Sequence, residues 1–329
     1  MPLLTVENLR TTFPSAAGRA NVVDGVSFTL EPGEVLGIVG ESGSGKSMTA
    51  MSIMRLLKEP PARIEADRLD FDGRDLLALG QDQMRDVRAR DISMVFQDPM
   101  RSLNPVLTIG RQLTETLRRH TDLSRRAARE RAVELLNLVG IPAARRRMSE
   151  YPHQFSGGMR QRAMIAIAIC CEPRLLIADE ATTALDVTVQ AQIVELMQRL
   201  NQEMGMAMIW ISHDLGLVAG LCDKVAVMYS GRLVEFGPTR ALFQNPSHGY
   251  TVGLLRCTPR LDVPGRRLEP IPGYPPDITS KKTLCPFLPR CAVAVPDCHR
   301  HYPKDRAIGP AHTAACHVSF HSQPAEASA

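Results

Sequence analysis

The chain has no apolar run long enough to cross a bilayer. Its longest, Ala163 to Cys171, is about half of the ~20 residues that a spanning helix needs. It opens MPLLTVENLR, without a basic start followed by an apolar stretch, so no secretory signal is expected. An excess of charge of one sign is missing too. A formal net charge of +4 over 329 residues falls short of the bias of a nucleic-acid binder, so no nucleic-acid partner is expected. The arginine clusters Arg125–Arg126 and Arg145–Arg147 read as solvated helix or loop surface. No internal repeat of solenoid period recurs. These absences point to a cytosolic protein with reduced thiols. The 44% hydrophobic and 22% charged residues suit a globular one. Cysteine is sparse over most of the length, yet four of the eight (Cys285, Cys291, Cys298 and Cys316) fall beyond residue 284.

What is present alternates in type. Leu3–Leu9 and Val22–Leu30 are β-type runs broken by Gly18 and Gly25. Glu34–Val39 is nearly continuously apolar, as in a strand covered on both faces, and Ser47–Leu57 has helical spacing. Thr108 to Arg147 reads as helices with a break at Pro142, and Ser156 to Cys171 as a helix that Ser156 caps. Arg174–Ala178 and Ala207–Ile211 are short apolar strands flanking a helix over Val187–Met204. Strands alternating with helices indicate an α/β domain with parallel strands. Beyond Pro259 proline becomes dense and helical periodicity stops, which places a domain boundary near residue 260. One large domain with a smaller appendage also suits the length.

Gly40-Glu41-Ser42-Gly43-Ser44-Gly45-Lys46-Ser47 fits G-x-x-x-x-G-K-[ST] at every fixed position and lies between a buried strand and a helix. Glycines let the backbone curl its N–H groups around phosphate oxygens, and the following helix turns its positive end to the same anion. Lys46 supplies a cation for the β- and γ-phosphates, and the Ser47 hydroxyl can ligate Mg²⁺. Asp179 and Glu180 end an apolar strand: one carboxylate can hold Mg²⁺, the other can orient or deprotonate water. His213 and Gln97 also follow short strands, where ligands gather in open α/β folds. His213 suits a γ-phosphate or the attacking water, and Gln97 suits Mg²⁺ or water. Each of these four, alone, also reads as an ordinary strand–loop junction.

Tyr151-Pro-His-Gln-Phe155-Ser156-Gly157-Gly158-Met159-Arg160-Gln161-Arg162 resembles the L-S-G-G-Q signature of the ATP-binding-cassette family. Ala184-Leu185-Asp186 and His213 follow in family order. Phe96-Gln-Asp-Pro-Met100, Ser102-Leu-Asn-Pro105, Thr182–Asp186 and Val187–Gln192 look like the oligopeptide/dipeptide (peptide/nickel) importer branch, over nearly the whole chain. The resemblance implies an α/β P-loop NTPase cassette over residues 1–259. It would have a RecA-like parallel sheet core, an antiparallel β subdomain and a helical subdomain at about residues 100–165. A Pro/Cys-rich extension would cover residues 260–329. It implies an ATPase, with ATP and Mg²⁺ as cofactors, energising import of di- or oligopeptides; nickel, glutathione or another small solute is the alternative cargo. A soluble cassette ATPase outside transport is opposed by the lack of coiled-coil insertions or a tandem cassette. A module that binds ATP without hydrolysing it is opposed by Glu180 and His213.

By position, the family roles are as follows. Phe13 stacks on adenine with Val22 nearby, and Gly40 to Ser47 with Met48 hold ATP. Ser47, Gln97 and Asp179 serve Mg²⁺, while Glu180, His213 and Gln97 serve catalysis. Ser156, Gly157, Gly158 and Met159 close over the ATP of a partner subunit, and Asp186 contacts that subunit. The implied partners are a related but distinct second ATPase, two membrane permeases and, indirectly, a periplasmic or extracellular substrate-binding protein. The chain would sit peripherally on the cytoplasmic face of the inner membrane. Phe155 and Met159 replace Leu and Gln of the commonest signature, and Ala181 stands where Pro usually follows the catalytic glutamate, which should relax that loop slightly.

Cys285, Cys291, Cys298 and Cys316 lack the C-x2-C pairs of zinc fingers and match no ferredoxin pattern. A metal centre would nevertheless order a proline-rich tail poor in apolar residues. Some members of the resembled branch bind a [4Fe–4S] cluster through four such cysteines. Iron–sulfur is therefore the expectation, with Zn²⁺ and unliganded thiols as alternatives. His299, His312 and His317 lie near in sequence and read as surface histidines.

Overall fold

The computed structural model describes residues 1–16, 18–182, 186–258, 269–277 and 283–320. Thr183, Ala184 and Leu185, which precede Asp186 in its motif, lie outside the described residues, as does the expected boundary near residue 260.

The chain begins with strands β1 (Leu4–Ser15), β2 (Gly18–Leu30) and β3 (Val35–Val39), then helix α1 (Lys46–Ile53). Strands β4 (Arg63–Glu65), β5 (Arg68–Phe71) and β6 (Arg74–Asp75) lead to α2 (Gln81–Arg90) and β7 (Ile92–Val95). Five helices follow: α3 (Pro99–Ser102), α4 (Ile109–His120), α5 (Arg125–Leu138), α6 (Ala144–Arg147) and α7 (Gly157–Ile169). Next come β8 (Leu175–Asp179), α8 (Val187–Met204), β9 (Ala207–Ser212), α9 (Leu215–Leu221), β10 (Lys224–Tyr229) and β11 (Arg232–Pro238). Helices α10 (Thr239–Gln244) and α11 (Gly249–Cys257) precede the tail strands β12 (Arg306–Gly309) and β13 (His312–Ala314). No described helix is long and apolar enough to cross a membrane.

Two compact units result. One comprises residue 1, residues 31–34 and residues 78–211. Its parallel strands run in the order β9-β8-β7, from Ile92 opposite Leu175 to Asp179 opposite Ile211. Strands β7 and β8 are buried at every position, which explains why all but Ser93 and Asp179 in them are apolar. Helix α8 buries Ile193, Leu196, Met197 and Leu200, a three-and-four spacing that puts one face inward. Each such side chain contributes about 1.5–3 kcal/mol when fully buried. Gly205, in a left-handed conformation (φ 62°), ends that helix. Helices α4 and α5 bury Leu113, Leu117, Leu135 and Leu136 and pack on each other and on α7.

The other unit comprises residues 2–30, 35–77 and 212–329. Its antiparallel sheet runs β2-β1-β5-β6, with β4 also on β1. In β2, Val26, Phe28 and Leu30 are buried while Ser27 and Thr29 are exposed, the period of a half-covered strand. Its second sheet pairs β3 with β10 in parallel, and then β10, β11, β13 and β12 antiparallel in sequence. The tail thus supplies two strands to a sheet begun near residue 35. Helix α1 is shorter than the run Ser47–Leu57 suggests, because Arg55 turns into the left-handed region (φ 49°).

Candidate nucleotide and cysteine sites

The loop between β3 and α1 is fixed by close backbone approach. A Cβ at Gly40 (φ 151°) would stand 2.2 Å from the Met228 carbonyl oxygen, and one at Gly45 (φ 103°) 2.7 Å from that of Val22. Only glycine fits either place. Ser42 and Gly43 form the exposed tip, and Ser47 and Met48 lie in the first turn of α1. The Lys46 ammonium is buried and folds over the loop, donating to the carbonyls of Gly40 (2.7 Å) and Glu41 (3.1 Å). Among the described residues, buried Ser44 Oγ finds no hydrogen-bond partner, a cost that a phosphate oxygen would remove. Phe13, half-buried, lies opposite Ala20 at the β1–β2 hairpin, and Val22 sits at a register shift of the same ladder.

In the other unit β8 delivers Asp179, buried at its end, and then Glu180 in a left-handed conformation (φ 47°). Such backbone costs of order 1–3 kcal/mol and turns the side chain away from the strand's own course. The Glu180 amide donates to the Ile211 carbonyl (3.0 Å), and its Oε2 accepts from Gln97 Nε2 (2.7 Å). Two candidate residues 83 positions apart are therefore in direct contact. Ser156 caps α7, its Oγ accepting from the Met159 amide (3.3 Å), while Gly157 is exposed. Gly158 has a packing reason of its own: a Cβ there would meet Val189 Cγ1 at 2.9 Å. Asp186 caps α8 by accepting from the Val189 amide (2.9 Å). Exposed His213 directly follows β9, ahead of the α9 cap Asp214.

Cys285, Cys291, Cys298 and Cys316 all line one small cavity, together with His248 and His317. Burial pushes the Cys285 thiol up to about 11, and the nearby Cys316, Cys291 and Cys298 add to it. Burial likewise raises Cys291 and Cys316. Their neighbours around one space oppose the ionisation of Cys285, Cys291 and Cys316, which a bound cation would reverse. Among the described residues no group of three or more His, Cys, Asp or Glu is arranged to hold a metal ion. His248 Nδ1 accepts from the Tyr250 amide (3.0 Å), so the neutral ring carries its proton on Nε2, 3.8 Å from Cys285 Sγ. His312 is buried rather than on the surface, with Nε2 2.8 Å from Glu235 Oε1.

Residues 23–183 match the family described as ABC transporter, and residues 234–298 match the oligopeptide/dipeptide transporter C-terminal region. The dipeptide transport ATP-binding protein DppD of Bacillus subtilis is 50% identical over 95% of this chain and 94% of its own length. The oligopeptide transport ATP-binding protein OppD of Salmonella typhimurium is 51% identical over 95% and 93%. The chain belongs to the ABC transporter family. A solved dimeric ATP-binding cassette in a post-hydrolysis state, bound to ADP and Pi, superposes with a TM-score of 0.65. It is 26% identical and covers 72% of this chain and 99% of that one. This ABC subunit is accordingly an ATPase with the cassette fold, acting on ATP with Mg²⁺.

Tyr250, Arg290, Tyr229 and Phe287, which hold Glu41 of the phosphate loop, had no signal in the motifs. Glu41 donates its amide to Tyr250 Oη (2.7 Å), and its carboxylate receives both ends of the Arg290 guanidinium (2.6 and 3.0 Å). Tyr229 and Phe287 flank the same place. The glutamate could be read only as a variable position of the loop, and the arginine only as a neighbour of Cys291.

Proposed function

We propose that this subunit hydrolyses MgATP to energise the import of peptides. It would work with a related second ATPase, two membrane permeases and a substrate-binding protein outside the membrane. The cargo reading rests on relatives named for peptide, dipeptide and oligopeptide import at about half identity over nearly the full length. It places the chain peripherally, on the cytoplasmic face of the membrane. Lys46 holds the β- and γ-phosphates, and Ser47, Gln97 and Asp179 serve Mg²⁺. Phe13 and Val22 face adenine, and His213 steadies the γ-phosphate or the water. Ser156 to Met159 cover the nucleotide of the partner ATPase, and Asp186 touches that partner.

The observation that carries hydrolysis is the Gln97–Glu180 contact, which holds a carboxylate at the end of a buried strand in one orientation. Glu180 then takes a proton from the attacking water. Replacing Glu180 by Gln keeps the shape and removes the base. We expect turnover in the assembled transporter to fall by about 10²-fold or more while ATP binding is retained. Substantial residual hydrolysis would remove Glu180 from that role.

The reading that the four cysteines hold a [4Fe–4S] cluster rests on their donor type and on their lining one cavity, with Gly249 leaving room beside Cys291, whose Sγ is 3.1 Å from where a Cβ would stand. Such a cluster supplies electron-transfer capacity and cross-links the tail. Protein purified without oxygen should absorb broadly near ~400 nm and contain iron and sulfide. Colourless protein containing zinc would reject the cluster.

A further inference from the structure

Arg290 lies in the tail between Cys285 and Cys291, yet its side chain ends on the phosphate loop. The side chain is 4% exposed. Nη1 donates to Glu41 Oε2 (2.6 Å) and to Tyr229 Oη (3.1 Å), and Nη2 to Glu41 Oε1 (3.0 Å) and Ile271 O (3.5 Å). Nε donates to the Pro272 carbonyl (2.8 Å). The fork is thus fully used and fixed in plane. Phe287 sits in T-shaped contact with Tyr229 and tilted against Tyr250, 5.4 Å from each ring. These rings anchor the segment that carries the arginine. Tyr250 reaches the same loop residue through the Glu41 amide.

Glu41 is the first variable position of a loop that receives a polyphosphate. An unpaired carboxylate there repels the incoming anion, and it is free to turn toward Lys46, the cation the phosphates need. A bidentate arginine removes both problems. We propose that Arg290 is a positioning residue for nucleotide binding: it neutralises and immobilises Glu41 so that this carboxylate neither repels MgATP nor captures Lys46. The role rests on the ATPase activity alone and is independent of what the four cysteines hold.

The test reads affinity and turnover separately. In the full-length chain, Arg290→Ala should weaken binding of a fluorescent ATP analogue roughly tenfold, the scale of one charge-assisted hydrogen bond. In the assembled transporter the same change should raise KM for MgATP with kcat held within about twofold, the mark of lost ground-state binding. Adding Glu41→Gln to Arg290→Ala removes the stranded charge and should restore most of the affinity. A purely structural role for Arg290 would give no such rescue. Arg290→Lys, which keeps the charge but loses the fork, should weaken binding less than Arg290→Ala, and it carries the test if the alanine variant does not fold. Unchanged affinity in Arg290→Ala or, if that variant does not fold, in Arg290→Lys, or a loss that Glu41→Gln leaves in place, overturns the proposal.

Discussion

Gly158 shows how much a single position can carry. Its motif assigns it to a surface for a partner's phosphate, yet Val189 of α8 already requires that no side chain be present. Gly158→Ala should destabilise the protein by about 1 kcal/mol net. Overpacking costs ~1–3 kcal/mol, and alanine's better helix propensity returns up to about 1. Adding Val189→Ala should then lessen the penalty, as denaturant midpoints would show; equal stability of wild type and Gly158→Ala would contradict the clash. At this scale the backbone of the phosphate loop was legible, because close approach at Gly40 and Gly45 fixes the spacing. Gly40, Lys46 and Ser47 can be read because a curled loop admits few sequences. Arg290 could not be read, because its partner Glu41 is 249 positions away and neither residue announces the other.

Among elements, the legible ones are long or wholly buried. Helix α8 spans Val187–Met204 as its periodicity says, because an amphipathic stripe between an Asp cap and a Gly stop leaves little choice. Strands β3, β8 and β9 declare themselves by nearly continuous apolar sequence. Strands β1 and β2 run longer than their apolar stretches, since pairing in the hairpin extends through polar Thr12 and Arg19 to Ser15 and Gly18. The tail strands were not legible at all. Arg306–Gly309 and His312–Ala314 are too short and too polar to show a pattern, and they become strands because β11 offers an edge.

For the whole molecule, the attachment of the tail turns on Glu235. Its buried carboxylate accepts from the amides of Ser247 (2.8 Å) and His248 (2.9 Å) and is paired with His312 of β13 (2.8 Å). Removing it strands three polar groups in the interior. We expect Glu235→Ala to cost about 3–5 kcal/mol and to loosen the cysteine cavity, since His248 lines it. Chemical denaturation measures the first effect, and the rate at which a thiol reagent modifies Cys285 and Cys316 measures the second. Native stability and unchanged thiol protection would show that the tail is held elsewhere. None of this was visible beforehand: a lone Glu in a strand and a lone His in a tail each look solvated until the fold joins them.

The Arg290–Glu41 clasp also sets a schedule. Glu41 leaves the ribosome 249 residues ahead of its arginine, which at ~5–20 residues per second is a delay of roughly 12 to 50 seconds. During that interval the nascent loop has its glycines and its lysine but not its counter-charge. Full grip on nucleotide is thereby deferred until Arg290 itself has been made and has reached Glu41.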